Sequence, residues 1–160
     1  MAKYTVEEVA YSVDGAHVGI VAARFNHEIV NTLLDAALAT LHDKGIARDA
    51  ITVAQVPGAF ELALGAHRLA ERRGTEAVIA LGAVINGETK HGDYVCAECA
   101  SGLTRVSLDT GLPVIFGVLT TYTTEQAWAR AGGDHGNKGH EAALAALEMI
   151  TLLRHLKSDA

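Results

Sequence analysis

Aromatic side chains are scarce in this chain. Phe, Tyr and Trp make up 5% of its 160 residues, against an apolar share of 49%. The apolar content is therefore mostly Ala, Val, Leu and Ile. That share is high for so short a chain, because a small domain has much surface to cover with polar groups. Part of the apolar surface is expected to be buried between subunits. Basic clusters are missing as well. The net charge is −6 and the pI is about 5.7. No Lys/Arg block of the kind a nucleic-acid binder carries is present. No apolar run reaches the roughly 20 residues that span a bilayer. The opening Met-Ala-Lys-Tyr-Thr-Val-Glu-Glu has no apolar signal core. A cytoplasmic protein without membrane association is expected.

Cysteine is limited to Cys96 and Cys99. A zinc site needs about four ligands, and no second pair exists. A thioredoxin-like pair belongs at a helix start, whereas Cys96 falls about a turn inside one. The two are read as small packing residues on one helical face, beside Val95, Gly102 and Leu103.

What is abundant is alternation. Short β-rich runs at 17–22, 51–56, 77–85 and 113–119 alternate with longer helical periods at 28–41, 60–73 and 94–108. Ile29, Leu33, Leu34, Ala37, Leu38 and Leu41 share one face of the first helix. Lys44-Gly45 and Arg72-Arg73-Gly74 are stop signals, cation then glycine. Thr123-Thr-Glu-Gln126 spells a capping box opening a short helix to Ala131. Residues 132–136 break the chain, and a long Ala/Leu-rich helix runs from 138 to 156. Strands apolar throughout, each followed by a helix, predict a parallel sheet covered on both faces. Right-handed crossovers make this a three-layer α/β/α sandwich, flavodoxin-like, with about four strands. The chain 1–160 reads as one domain, with 1–16 as an arm or an added strand.

In such a sheet every strand-to-helix junction lies on the carboxyl edge, where ligands bind. The junctions are 23–26, 57–61, 82–91 and 119–123, and they are expected to converge on one pocket. The most informative is Gly82-Ala-Val-Ile-Asn-Gly-Glu-Thr-Lys-His91. It nearly spells a P-loop, but Glu88 stands where the lysine would meet β/γ-phosphates. The turn keeps its backbone amides and is read as a cradle for a smaller phosphate.

Each candidate side chain also has a plainer reading. Phe25, in a polar turn, either stacks on a flat heterocycle or folds back over the sheet edge. Glu61 either compensates a helix dipole or accepts hydrogen bonds from a ligand. Phe60 beside it reads as packing. His91 opens a helix whose positive end disfavours imidazolium, while Asp93 pulls the other way, a setting suited to proton transfer in either direction. Arg130 and Lys138 are either surface cations or, for the arginine, a fork onto phosphate.

Together these segments are similar to the signature segments of the lumazine synthase family. Ala23-Arg-Phe-Asn26, Pro57-Gly-Ala-Phe-Glu-Leu62, residues 82–91 and Asp93-Tyr-Val95 carry the resemblance. So do Phe116-Gly-Val-Leu-Thr-Thr121, Glu125-Gln-Ala127, Arg130-Ala-Gly132 and Gly136-Asn-Lys-Gly139. The resemblance implies condensation of 5-amino-6-(D-ribitylamino)uracil with 3,4-dihydroxy-2-butanone 4-phosphate to 6,7-dimethyl-8-ribityllumazine, without metal or organic cofactor. By the family pattern Phe25 stacks on the pyrimidine. Ala59, Phe60 and Glu61, with Ala83, Val84 and Ile85, hold the uracil and ribityl chain. Glu88 and Thr89 supply phosphate-binding amides, Arg130 clamps the same phosphate, and His91 transfers protons. Phe116, Arg130 and Lys138 are expected from a neighbouring subunit of a pentamer. The Gly136–Gly139 bend is of the form that accompanies sixty-subunit capsids, and riboflavin synthase is an implied partner.

Two positions depart from the family pattern. Asn86 stands where a basic residue is common, and Gly92 where an aromatic usually follows the histidine. The competing readings are a non-catalytic flavin-binding or capsid-shell relative using the same pocket, and a generic phosphosugar-binding domain.

Overall fold

A computed structural model of the chain describes residues 10–158. Four strands, β1 (His17–Ala23), β2 (Ile51–Val56), β3 (Thr75–Ile85) and β4 (Val114–Thr121), run parallel in the order β2-β1-β3-β4. Five helices connect or follow them: α1 (His27–Asp43), α2 (Leu62–Ala70), α3 (His91–Thr110), α4 (Thr124–Ala129) and α5 (Lys138–Ser158). The three-layer, flavodoxin-like sandwich is as expected.

The layers follow from the two-residue period of the strands. Ala77, Ile79, Leu81 and Ala83 of β3 face one way, with Leu33 and Leu41 of α1 and Leu147 and Ile150 of α5. Val78 and Ala80 face the other, with Leu62 and Leu69 of α2 and Leu103 and Val106 of α3. Because both faces are covered, the central strand reads as unbroken apolar sequence. Glycine lets α5 approach α1 closely: a Cβ built on Gly139 would run into the backbone carbonyl of Leu33. Asn137 caps this helix, its Oδ1 accepting from the N–H groups of Gly139 (2.8 Å) and His140 (3.3 Å).

Several boundaries differ from expectation. The helix expected over 60–73 is a 3₁₀ turn (Ala59–Glu61) followed by the shorter α2. The Glu61 carboxylate reaches back to the Gly58 N–H at 2.9 Å, so the turn is closed before the α-helix begins. Helix α3 begins at His91, three residues before the expected 94, with Asp93 in its first turn complementing the dipole. The break at 132–136 is an antiparallel hairpin, β5 (Ala131–Gly133) with β6 (Gly136–Asn137), and its left-handed turns fall on Gly132 (φ 104°) and Gly136 (φ 77°).

The arm or added strand expected over 1–16 lies partly outside the described residues, at 1–9. Residues 10–16 form no strand and are tied to α5. Ser12 N–H donates to Thr151 Oγ1 (3.0 Å). Arg154 donates to the carbonyls of Ser12 (3.2 Å) and Asp14 (3.1 Å). The same guanidinium forks onto Glu76 at 2.8 and 2.6 Å. Among the described residues no helix is long and apolar enough to cross a membrane.

Candidate active site

Three of the four strand-to-helix junctions converge as expected. After β1 the chain passes over the end of β2: Arg24 N–H donates to the Val56 carbonyl (2.8 Å) and Phe25 N–H to that of Pro57 (3.0 Å). Asn26 then turns the chain in the left-handed region, φ 56°, and its Nδ2 donates to the Ala83 carbonyl at 2.8 Å. The resulting cleft, about 720 Å³, is lined by Phe25, residues 57–61, Ala83, Val84, Ile85, Gly87, Thr89, His91, Gly92, Tyr94 and Val95.

Phe25 is 72% exposed, so its ring is not folded back over the sheet edge. Phe60 is 59% exposed and lines the cleft, which overturns its reading as a packing residue. A short 3₁₀ turn, not a helix face, carries it and turns its ring away from the core. Ala59 and Ala83 are buried beneath the cleft, and Val84 and Ile85 are half-buried in its wall. Glu61 lines the cleft too, with one carboxylate oxygen accepting from the Gly58 N–H.

At the far end, Gly87 and Thr89 lead into α3. The N-cap residue Lys90 contributes no side-chain cap; its carbonyl accepts from the N–H groups of Asp93 (3.1 Å) and Tyr94 (3.3 Å). His91 is the first residue of that helix and is exposed at the cleft, its own N–H 3.4 Å from Thr89 Oγ1. Glu88 is exposed but does not line the cleft; a role for it would run through its backbone.

The fourth junction does not join this cleft. Strand β4 is the sheet's edge, and its outer side opens onto a second cleft of about 560 Å³. Phe116, Thr121, Tyr122, Gln126, Arg130, His135, Lys138 and Glu141 line it. Arg130, at the end of α4, is oriented by a bond from Nη1 to the Gln126 carbonyl (3.0 Å). Lys138 Nζ lies 3.4 Å from Glu141 Oε2. The expected site residues are thus divided. Phe25, residues 59–61, residues 83–85, Thr89 and His91 share one cleft; Phe116, Arg130 and Lys138 share the other. The seam between them is the β3–β4 pairing, which ends at Ile85 and Thr121 and is extended by a bond from Asn86 N–H to the Thr121 carbonyl (2.8 Å).

Tyr94, 67% exposed in the first cleft, was absent from the expected set, although its spacing of three from His91 puts both on one helical face. His135, Tyr122 and Gln126 were also missed. His135 rides on the hairpin, whose own N–H···O bond to Ala129 (2.8 Å) is non-periodic and leaves no sequence signal.

The two positions that depart from the family pattern are neighbours in space. A Cβ on Gly92 would stand 2.9 Å from Asn86 Oδ1, so the Asn86 carboxamide occupies room that a side chain at 92 would need. The cysteines behave as packing groups. Burial pushes the Cys99 thiol up to about 11, with Cys96 adding to the effect. Burial and then Asp93 also raise Cys96, so neither is poised as a thiolate. Among the described residues no three His, Cys, Asp or Glu converge as a metal-binding set.

A family model described as 6,7-dimethyl-8-ribityllumazine synthase matches residues 15–154. The matched span runs from just before β1 into the last turns of α5, and so includes every residue named in both clefts.

Proposed function

Because the chain belongs to the 6,7-dimethyl-8-ribityllumazine synthase family, we propose that it condenses 5-amino-6-(D-ribitylamino)uracil with 3,4-dihydroxy-2-butanone 4-phosphate in riboflavin biosynthesis. The products are 6,7-dimethyl-8-ribityllumazine, phosphate and water, and the reaction proceeds in the cytoplasm. The observation that carries this reading is the division of one chemistry between two clefts of the same chain. The first holds exposed aromatic rings, strand-end backbone groups and an imidazole at a helix start. The second holds the guanidinium and the ammonium.

In this reading Phe25 stacks on the pyrimidine. Residues 59–61 and 83–85 take its polar edge and the ribityl chain. The phosphate sits on the amides of Glu88 and Thr89. The pyrimidine's 5-amino group attacks the ketone carbonyl of the second substrate, and loss of water gives an imine. Loss of phosphate follows, and attack of the ribitylamino nitrogen on the carbonyl so formed closes the ring with loss of a second water. Every step moves a proton, which His91 gives or takes at the cleft mouth. The protein forms no bond to either substrate, so orientation of two molecules against each other supplies most of the acceleration.

Arg130 lies in the other cleft of its own chain. A phosphate at the 87–89 turn is therefore met by the Arg130 of an adjacent copy, and that copy's Phe116 and Lys138 join the substrate pocket. A ring of such contacts is head-to-tail and closed, here a pentamer. The compact Gly136–Gly139 bend suits pentamers assembled into a sixty-subunit capsid, with riboflavin synthase as a protein partner. The apolar surplus of the chain is accommodated at these contacts. The test is to mix the two substrates with the protein and follow lumazine fluorescence. A rate above the spontaneous reaction is expected, and none above it would refute the enzyme. Sedimentation distinguishes monomer, pentamer and capsid.

A further inference from the structure

Asn26 is the only non-glycine residue with a positive φ among those described. It stands at the N-cap of α1, where an asparagine normally accepts a hydrogen bond from the helix's own N–H groups. Its side chain makes no such cap. It reaches 57 residues along the sequence to donate to the Ala83 carbonyl at 2.8 Å. The β1–β3 ladder ends at the pair Ala22 and Leu81. Beyond that pair, the Asn26 amide is what joins the turn after β1 to the end of β3.

The residue beside it, Phe25, is 72% exposed. A ring with so little packing is placed by its backbone, not by neighbours. That backbone is held on one side by the Phe25 N–H bond to Pro57 (3.0 Å) and on the other by Asn26. Both anchors belong to the wall of the first cleft, at the ends of β2 and β3.

We infer that Asn26 is a positioning residue for the heterocyclic substrate. Its left-handed backbone and its bond to Ala83 together set the height of the Phe25 ring above the Ala83–Ile85 strand end, and so the width of the slot for a flat ring. This rests on the proposed reading of that slot as the pyrimidine subsite. Two substitutions keep the backbone and remove the bond. Asn26→Gly adopts the left-handed region freely, and Asn26→Asp tolerates it but cannot donate to a carbonyl.

Affinity is read by calorimetric titration of the full-length protein, in its native assembly, with 5-amino-6-(D-ribitylamino)uracil and separately with inorganic phosphate. Both variants are expected to weaken pyrimidine binding about tenfold, about 1.4 kcal/mol, and to leave phosphate binding within about twofold. In a Phe25→Ala background neither is expected to weaken it further, because the ring through which Asn26 acts is gone. Equal weakening of both ligands, or an undiminished effect without Phe25, would overturn the inference and leave Asn26 a structural residue. Pyrimidine binding that survives Asn26→Gly and Asn26→Asp but not Phe25→Ala overturns this inference alone. Binding indifferent to Phe25→Ala, or no pyrimidine binding by the unaltered chain, refutes the subsite itself and this role with it.

Discussion

Mixed assemblies offer the most direct test of the divided site. Take two impaired chains, Arg130→Ala and His91→Ala. Arg130 is half-buried and its Nη1 is occupied by the Gln126 carbonyl, so the remaining N–H groups are oriented for a fork onto phosphate. Losing two hydrogen bonds to a charged group costs about 3–4 kcal/mol once solvent competition is allowed for. That corresponds to roughly 10²–10³ in kcat/KM for the phosphorylated substrate. Lys138 does not replace it, since its ammonium is already paired with Glu141 at 3.4 Å. His91→Ala removes proton transfer alone and is expected to cost about 10²-fold or less.

Each variant damages one cleft and leaves the other whole. In a head-to-tail ring, an intact site forms wherever the first cleft of an Arg130→Ala subunit meets the second cleft of a His91→Ala subunit. At equal, random mixing this is about one contact in four. Co-expressed or co-refolded chains should therefore recover about a quarter of the unaltered rate by lumazine fluorescence, far above either variant alone. Were the site formed within one chain, mixing would give only the average of the two variants. That result would refute the reading, as would an Arg130→Ala enzyme within about threefold of the unaltered rate.

Other perturbations test the scaffold. Arg154→Met removes a fork onto Glu76 and two bonds to the segment before β1. It is expected to cost about 2 kcal/mol near neutral pH, between the values for exposed pairs and for well-bonded charges, measured by denaturant unfolding. The Arg154 guanidinium holds the Glu76 carboxyl below its ordinary 4.5. This stabilisation is present above that value and is lost as pH falls through the lower, folded-state one. The gap between the two proteins should close on acidification below about pH 4.5, and a gap that widens there would contradict the assignment.

Gly92→Ala displaces only the flexible end of Asn86. The fold should hold or gain up to about 1 kcal/mol from helix propensity, while kcat/KM falls a few-fold. A clear loss of stability would show that Asn86 does not yield. Gly139→Ala drives a methyl into the Leu33 carbonyl and is expected to cost about 3 kcal/mol or more, read as a lowered denaturation midpoint. An unchanged midpoint would mean that α1 and α5 are free to separate.

The capping box at Thr123 shows what local sequence carries. Its hydroxyl accepts from Gln126 N–H at 3.1 Å and Gln126 Oε1 accepts from Thr123 N–H at 3.3 Å, as the four letters imply. The start of α2 shows the limit. Phe60 and Glu61 continue a helical pattern, yet the Glu61 carboxylate bonds Gly58 and closes a 3₁₀ turn first. Periodicity reports which face is apolar; it does not report when a side chain outcompetes the backbone for an N–H.

By itself the sequence determined the alternation of strands and helices, the two-sided burial of the sheet, the strand-to-helix junction within 82–91 and the side-chain types offered at the carboxyl edge. These rest on local spacing and on side-chain type, both of which survive translation along the chain. Tertiary structure alone decided the strand order that leaves β4 at an edge, and so the separation of Arg130 from His91. It also decided the bond from Asn26 to Ala83 and the seating of Asn86 against Gly92. Each depends on which distant segments lie side by side. That pairing is chosen by the packing of the whole core, and no local period encodes it.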